Sequence, residues 1–100
     1  MSNEERVEVK HRPLADKGSF VVERDGKRAG ILTYALRDGT VVAEHTFVEP
    51  QFRGSTVAPS LVAALVEWAR SEGRKVEPMC SYVRGVFDRT PGYADLRVGG

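Results

Sequence analysis

Apolar and polar residues alternate along the first half of the chain and recur at helical spacing in the second. In RVEVKHR, Val7, Val9 and His11 interleave with charged neighbours, and SFVVER follows the turn-like ADKG, so both segments fit half-buried strands. RAGILTYAL and TVVAEHTFV continue the β-rich pattern. Asp25-Gly26 and Asp38-Gly39 join these segments; such dipeptides favour two-residue hairpins because Gly accepts the positive φ of a type I′ turn. The pattern predicts an antiparallel meander of three strands with a fourth ahead of it.

After Pro50 the period changes. Leu61, Val62, Leu65, Val66 and Ala69 form an apolar stripe over residues 59–72, Glu67, Arg70 and Glu72 lie off it, and Gly73 supplies the stop. Pro59 suits a first helical turn, where its missing N–H is not needed. KVEPMC reads as a further strand, and YVRGVFDR as a short helix closed by Thr90-Pro91-Gly92. Strand, long helix and strand in succession imply a right-handed crossover between parallel strands. The expected class is α/β (α+β): a mixed sheet built from an antiparallel meander, a strand–helix–strand crossover and a short C-terminal helix.

One hundred residues with 41% hydrophobic content fit a single domain over residues 1–100, because a second core would need a chain of about 250. A core of this size buries roughly 60–65% of the unfolded surface, so a bound ligand or a homodimer contact would add stability. Oligomeric state is left open. Fifteen basic residues against fourteen acidic ones, with no run of five like charges, argue against nucleic acid and a membrane surface as partners. No apolar leader core and no run of 18 apolar residues is present, so neither a signal peptide nor a membrane span is expected. Cys80 is the single cysteine, which excludes an internal disulfide and fits a reducing, cytoplasmic location.

The chemistry concentrates where strand gives way to helix. RGSTVA sets Arg53, the flexible backbone of Gly54 and the amides of residues 55–58 directly before the long helix, at the carboxyl end of a strand. Exposed first-turn amides and the helix dipole attract anions, so the loop suits a pyrophosphate. The same six residues also make an ordinary capped helix start. From these residues alone both readings stand.

Val48-Glu49-Pro50-Gln51-Phe52 followed by Arg53-Gly54-Ser55-Thr56-Val57-Ala58 resembles the acetyl-CoA-binding motif of the GNAT acyltransferase superfamily, R/Q-x-x-G-x-G/A after a central strand. Together with the long helix, KVEPMCSYV and RTPGYADL, the chain resembles a compact GNAT-like branch over most of residues 7–96. The resemblance implies acetyl-CoA as co-substrate and transfer of its acetyl group to an amine acceptor, small molecule or protein, which it leaves unidentified. It implies that Arg53, Gly54, Ser55, Thr56, Val57 and Ala58 hold the pyrophosphate. It also implies that pantetheine inserts between two splayed parallel strands beside Phe47 and Val48. Pro78 lacks an N–H and cannot continue a ladder, so it marks either that splay or an edge or bulge position. Two residues depart from the pattern: Thr56 stands where Gly is usual, and Phe87 where many members carry a Tyr that protonates the leaving thiolate.

Direct transfer from a thioester to an amine needs a route for the ammonium proton and a donor for the thiolate. Glu44 and His45 lie on the central strand, and alternation puts them on opposite faces, so one of them faces the cleft. Cys80, at the end of the strand expected to flank the thioester, offers a covalent route or a small buried hydrophobe. On the reading the resemblance implies, His45 or Cys80 would be nearest the reacting carbonyl. Tyr82 and Tyr93 are donors or core aromatics, Trp68 reads as packing, and His11 has no identifiable partner. The rival is a non-catalytic CoA-binding or protein-interaction module that retains the fold. Phe87 and the lack of the acceptor-shaping helices of longer members favour it.

Overall fold

Both Asp-Gly dipeptides turn the chain as their chemistry dictates. Asp25 and Gly26 have φ of 53° and 77°, and Asp38 and Gly39 of 53° and 82°, the paired positive values of type I′ turns. In the computed structural model, which describes residues 7–98, these turns join β2 (Lys17–Arg24), β3 (Lys27–Arg37) and β4 (Thr40–Val48). β1 (Val9–Pro13) pairs with β2 and completes a four-stranded antiparallel meander. The chain then runs through a 3-10 turn (Pro50–Phe52), α1 (Val57–Ser71), β5 (Val76–Pro78), α2 (Ser81–Arg89) and a second 3-10 turn (Pro91–Leu96). β5 pairs with β4 in parallel, giving one mixed sheet in the order β1-β2-β3-β4-β5.

The stripe read from the sequence is the buried face of α1. Leu61, Val62, Leu65, Val66 and Ala69 are all buried, and they share one core with Phe20, Val22, Leu32, Tyr34, Val41 and Ala43 of the sheet. Val83 and Phe87 of α2 close the same core. Each large aliphatic chain removed from water contributes about 1.5–3 kcal/mol, so the helix is held by this stripe rather than by its termini. Arg70 adds a tie to the C-terminal turn, donating to Asp95 Oδ2 at 2.8 Å and to the Gly92 carbonyl at 2.7 Å.

α1 starts two residues earlier than its expected span because Val57 is drawn fully into the core. Gly30 makes room for it. A Cβ at Gly30 would lie 2.8 Å from Val57 Cγ1 and 3.3 Å from Leu61 Cδ1. Replacing Gly30 by Ala should therefore push the first turn of α1 off the sheet and destabilise the fold by about 1–3 kcal/mol. Urea unfolding reads this directly, and an unchanged midpoint would show that the helix start tolerates the shift.

His11 has partners the sequence did not reveal. Its ring stacks on Phe20 with centroids 4.2 Å apart, meets Trp68 edge-on at 4.7 Å, and its Nε2 lies 2.6 Å from the Tyr34 hydroxyl. Burial pushes its pKa below the ordinary value, with the nearby Glu72 carboxylate opposing the shift. The folded state thus prefers the neutral ring, and stability is fully present above about pH 6.5 and declines as pH falls below it. The urea midpoint should drop more for the wild type than for His11→Gln between about pH 7.5 and 5.5. Parallel declines would remove His11 as the cause.

Candidate active site

The parallel pairing of β4 and β5 stops early. It runs from Val41↔Val76 to Ala43↔Pro78 and goes no further. Pro78 has no N–H to extend the ladder, and the amides of Met79 and Cys80 both turn back onto the Ala43 carbonyl, at 3.0 and 2.9 Å. Arg84 then occupies the carbonyls at and just past the strand's end, donating to Pro78 O at 3.4 Å and Met79 O at 3.1 Å. KVEPMC thus contributes three strand residues rather than six, and residues 44–48 of β4 keep an unpaired edge facing the gap among the described residues.

That gap is a cleft of about 330 Å³. Thr46, Phe47 and Val48 form one wall, Arg53, Gly54, Ser55 and Ala58 one end, and Phe52 and Tyr82 complete it. Six of the eight residues expected to hold the cofactor are brought together here; Thr56 and Val57 do not line it. Val57 is buried against Gly30, and its amide lies 3.3 Å from Ser55 Oγ, which also donates to the Phe52 carbonyl. Thr56 is exposed and makes no side-chain cap, and Ser55 Oγ accepts from the first-turn amide in its place. Gly54 has φ of 81° with open space beyond it, leaving the backbone approachable from the cleft. The amides of Gly54, Thr56 and Ala58 have no acceptor among the described residues.

Arg53 is oriented by the wall itself. Its Nε donates to the Val48 carbonyl at 2.9 Å, and its guanidinium lies 5.6 Å from the centre of the Phe47 ring. Phe47 is 48% exposed, so its ring is accessible from the cleft beside the Arg53 guanidinium. Arg24 lies 5.9 Å over Phe52 in the same manner. Of these two guanidiniums, that of Arg53 lines the cleft, where it suits an anion.

Tyr82, second residue of α2, reaches the cleft, whereas Phe87 is 4% exposed within the core. Helical geometry puts Phe87, set by the resemblance beside the family's Tyr, in the core. Val83 and Phe87 are four residues apart on the buried stripe, and Tyr82 leads that stripe on the cleft side. Their spacing was the signal that could have separated the two. Burial pushes the Tyr82 hydroxyl above its ordinary pKa, Arg89 opposes this, and Cys80 adds to it. The shift favours the neutral hydroxyl. Tyr93 packs on Phe87 with centroids 5.4 Å apart, in the core rim.

Cys80 precedes α2 as a free thiol, half-buried, with Sγ 3.4 Å from Thr46 Oγ1 across the gap. His45 is exposed and does not line the cleft. The expectation that Glu44 and His45 face opposite ways fails because of a bulge. The register passes from Thr33↔His45 to Tyr34↔Ala43, leaving Glu44 unpaired. Both side chains then border one cavity of about 370 Å³ with Arg37, Val42 and Met79, while Thr46, next in the chain, lines the cleft. No helix among the described residues is long and apolar enough to cross a membrane.

Solved structures share this fold. A GNAT family protein from Staphylococcus aureus is 26% identical over 63% of this chain, with a TM-score of 0.57, and the chain covers 55% of its length. A GCN5-like protein from Staphylococcus aureus matches over 91% of this chain and 89% of its own, at 24% identity and a TM-score of 0.67. The aminoglycoside N-acetyltransferase AAC(6′)-Iy, solved in complex with CoA, matches over 76% of this chain and 67% of its own, at 24% identity and a TM-score of 0.60. The chain thus spans about half the length of the first of these. No curated protein matches it. The family model of GCN5-related N-acetyl-transferases matches residues 19–96, from β2 through the C-terminal turn, and the chain belongs to that family.

Proposed function

We propose that the chain binds acetyl-CoA in the cleft between β4 and α2 and transfers the acetyl group to an amine. The supporting observation is the unpaired edge of β4 running from Thr46 into the open backbone at Gly54, with a protonated Tyr82 on the opposite wall. Pyrophosphate would meet the free amides of the loop and the Arg53 guanidinium; pantetheine would lie along residues 46–48. CoA supplies the thioester, and the chain's own groups position it and handle protons.

The acceptor ammonium first loses a proton, and its nitrogen attacks the thioester carbonyl. The C–N bond forms, the nitrogen's second proton leaves, the C–S bond breaks, and the thiolate takes a proton from the Tyr82 hydroxyl, which solvent restores. One proton is released overall. His45, exposed on the β4 bulge beside Thr46, is the residue we assign to take the ammonium proton through a water. A binding-only module drew support from Phe87 and from the lack of acceptor-shaping helices; Tyr82 in the cleft offers a donor that Phe87 does not and so weighs against the first of these arguments.

Cys80 fits direct transfer better than an acyl-enzyme. Its recorded hydrogen-bond partner is a hydroxyl, not a base that would generate a thiolate. Cys80→Ser should keep activity within about threefold, and iodoacetamide should react slowly at neutral pH, because a nucleophile's loss removes orders of magnitude. An inactive Ser variant with an isolable acetylated Cys80 would reverse the assignment. The overall proposal is tested by titrating acetyl-CoA calorimetrically and then following thiol release over a panel of amines. Binding without release on any amine would leave a binding module, and no binding would remove both readings.

A further inference from the structure

The sheet face turned away from α1 and α2 carries a second feature. Val21 and Val42 alternate with core residues on β2 and β4 and so point to this face, where they are only 4% exposed. Two shallow cavities lie along it, one of about 430 Å³ and one of about 370 Å³, and Glu44 on the β4 bulge borders both. The first ends at Arg12 and Lys17, and the second at His45 and Met79. They form a trough from the β1–β2 end of the sheet to the strand residue next to Thr46, where the cleft begins.

The trough's charge is lopsided. Arg12, Lys17 and Arg37 line it against the single carboxylate of Glu44, which sits 3.8 Å from Arg37. Arg12 and Lys17 form no ion pair among the described residues, and Asp16, although adjacent in the chain, does not line the trough. A polycationic amine would meet three like charges here, whereas an anionic group would be drawn to Arg12 and Lys17. The floor between, formed by Ile31, Thr33 and Val42, suits a short apolar spacer.

We infer that the acceptor is a small primary amine that carries an anionic group, carboxylate or phosphate. Its anion is received by Arg12 and Lys17, and its amine lies against Glu44 and His45. This rests on the proposed acetyl transfer and names the substrate class for it.

The test compares β-alanine and phosphoethanolamine with propylamine and putrescine as acceptors, by thiol release from acetyl-CoA. Both anionic amines should exceed propylamine, putrescine should be poorest, and the better of the two identifies the anion. In the Arg12→Glu, Lys17→Glu double variant, kcat/KM for the anionic amines should fall about tenfold while that for putrescine rises and acetyl-CoA affinity holds. A wild-type preference for putrescine, or an order unmoved by charge reversal, overturns the inference. A readout that needs no turnover accompanies it. The amide chemical shifts of Ile31, Thr33 and His45 should move with β-alanine or phosphoethanolamine and not with putrescine; stillness with both anionic amines also overturns it. Failure to bind acetyl-CoA would remove the proposed activity, while bound acetyl-CoA with the wrong charge order removes this inference alone.

Discussion

A Tyr82→Phe variant should fold normally and bind acetyl-CoA with wild-type affinity, while kcat falls by about two to three orders of magnitude, the range for a lost general acid. Among the described residues that line the cleft from α2, Tyr82 carries the hydroxyl able to donate to a thiolate, and burial pushes its pKa above the ordinary value. The ring itself packs against the core, so Phe preserves the wall and removes only the donor. The wild-type rate should also fall at high pH as the hydroxyl ionises, and that alkaline limb should vanish in the variant. A variant with undiminished kcat would show that solvent protonates the thiolate. In contrast, Phe87→Tyr should leave kcat unchanged, because position 87 faces the core.

Arg53→Ala should weaken acetyl-CoA binding by about 1–3 kcal/mol through loss of a charge-assisted contact to pyrophosphate. Two further losses act in the same direction: the bond from Nε to the Val48 carbonyl and the cover over the Phe47 ring. Arg53→Lys keeps the charge but not the planar fork, and should fall between the two. Calorimetry on folded protein reads all three, and an unchanged Kd for Arg53→Ala would reduce the loop to a plain helix start. Thr56→Gly is the companion change. Because Thr56 neither lines the cleft nor caps α1, its removal should leave affinity unchanged or slightly improved.

Local chemistry made the fold readable. Asp-Gly turns specify type I′ hairpins by themselves, and the Leu61 to Ala69 stripe survives intact because burial of one helix face dominates α1's stability. Pro78 was read correctly as the point where a ladder cannot continue, since its missing donor is a property of the residue alone. What escaped the sequence depended on distant partners. The bulge at Glu44 comes from register between β3 and β4, which alternation along one strand cannot show. His11 gained its role from Phe20, Tyr34 and Trp68, on three other elements. Val57 passed for a loop residue until Gly30, on another strand, gave its side chain a place in the core. That Tyr82 lines the cleft while Phe87 lies in the core was not legible, because a short helix offers few turns from which to judge its buried side.

The central claim, that acetyl-CoA occupies the splay between β4 and α2, is tested most directly by titrating acetyl-CoA while following every backbone amide by NMR. Shifts confined to residues 46–48, residues 53–58 and Tyr82, with the amides of β1 and the α1 C-terminus unmoved, are the result this account predicts. Saturable binding that leaves residues 46–58 unmoved would contradict it.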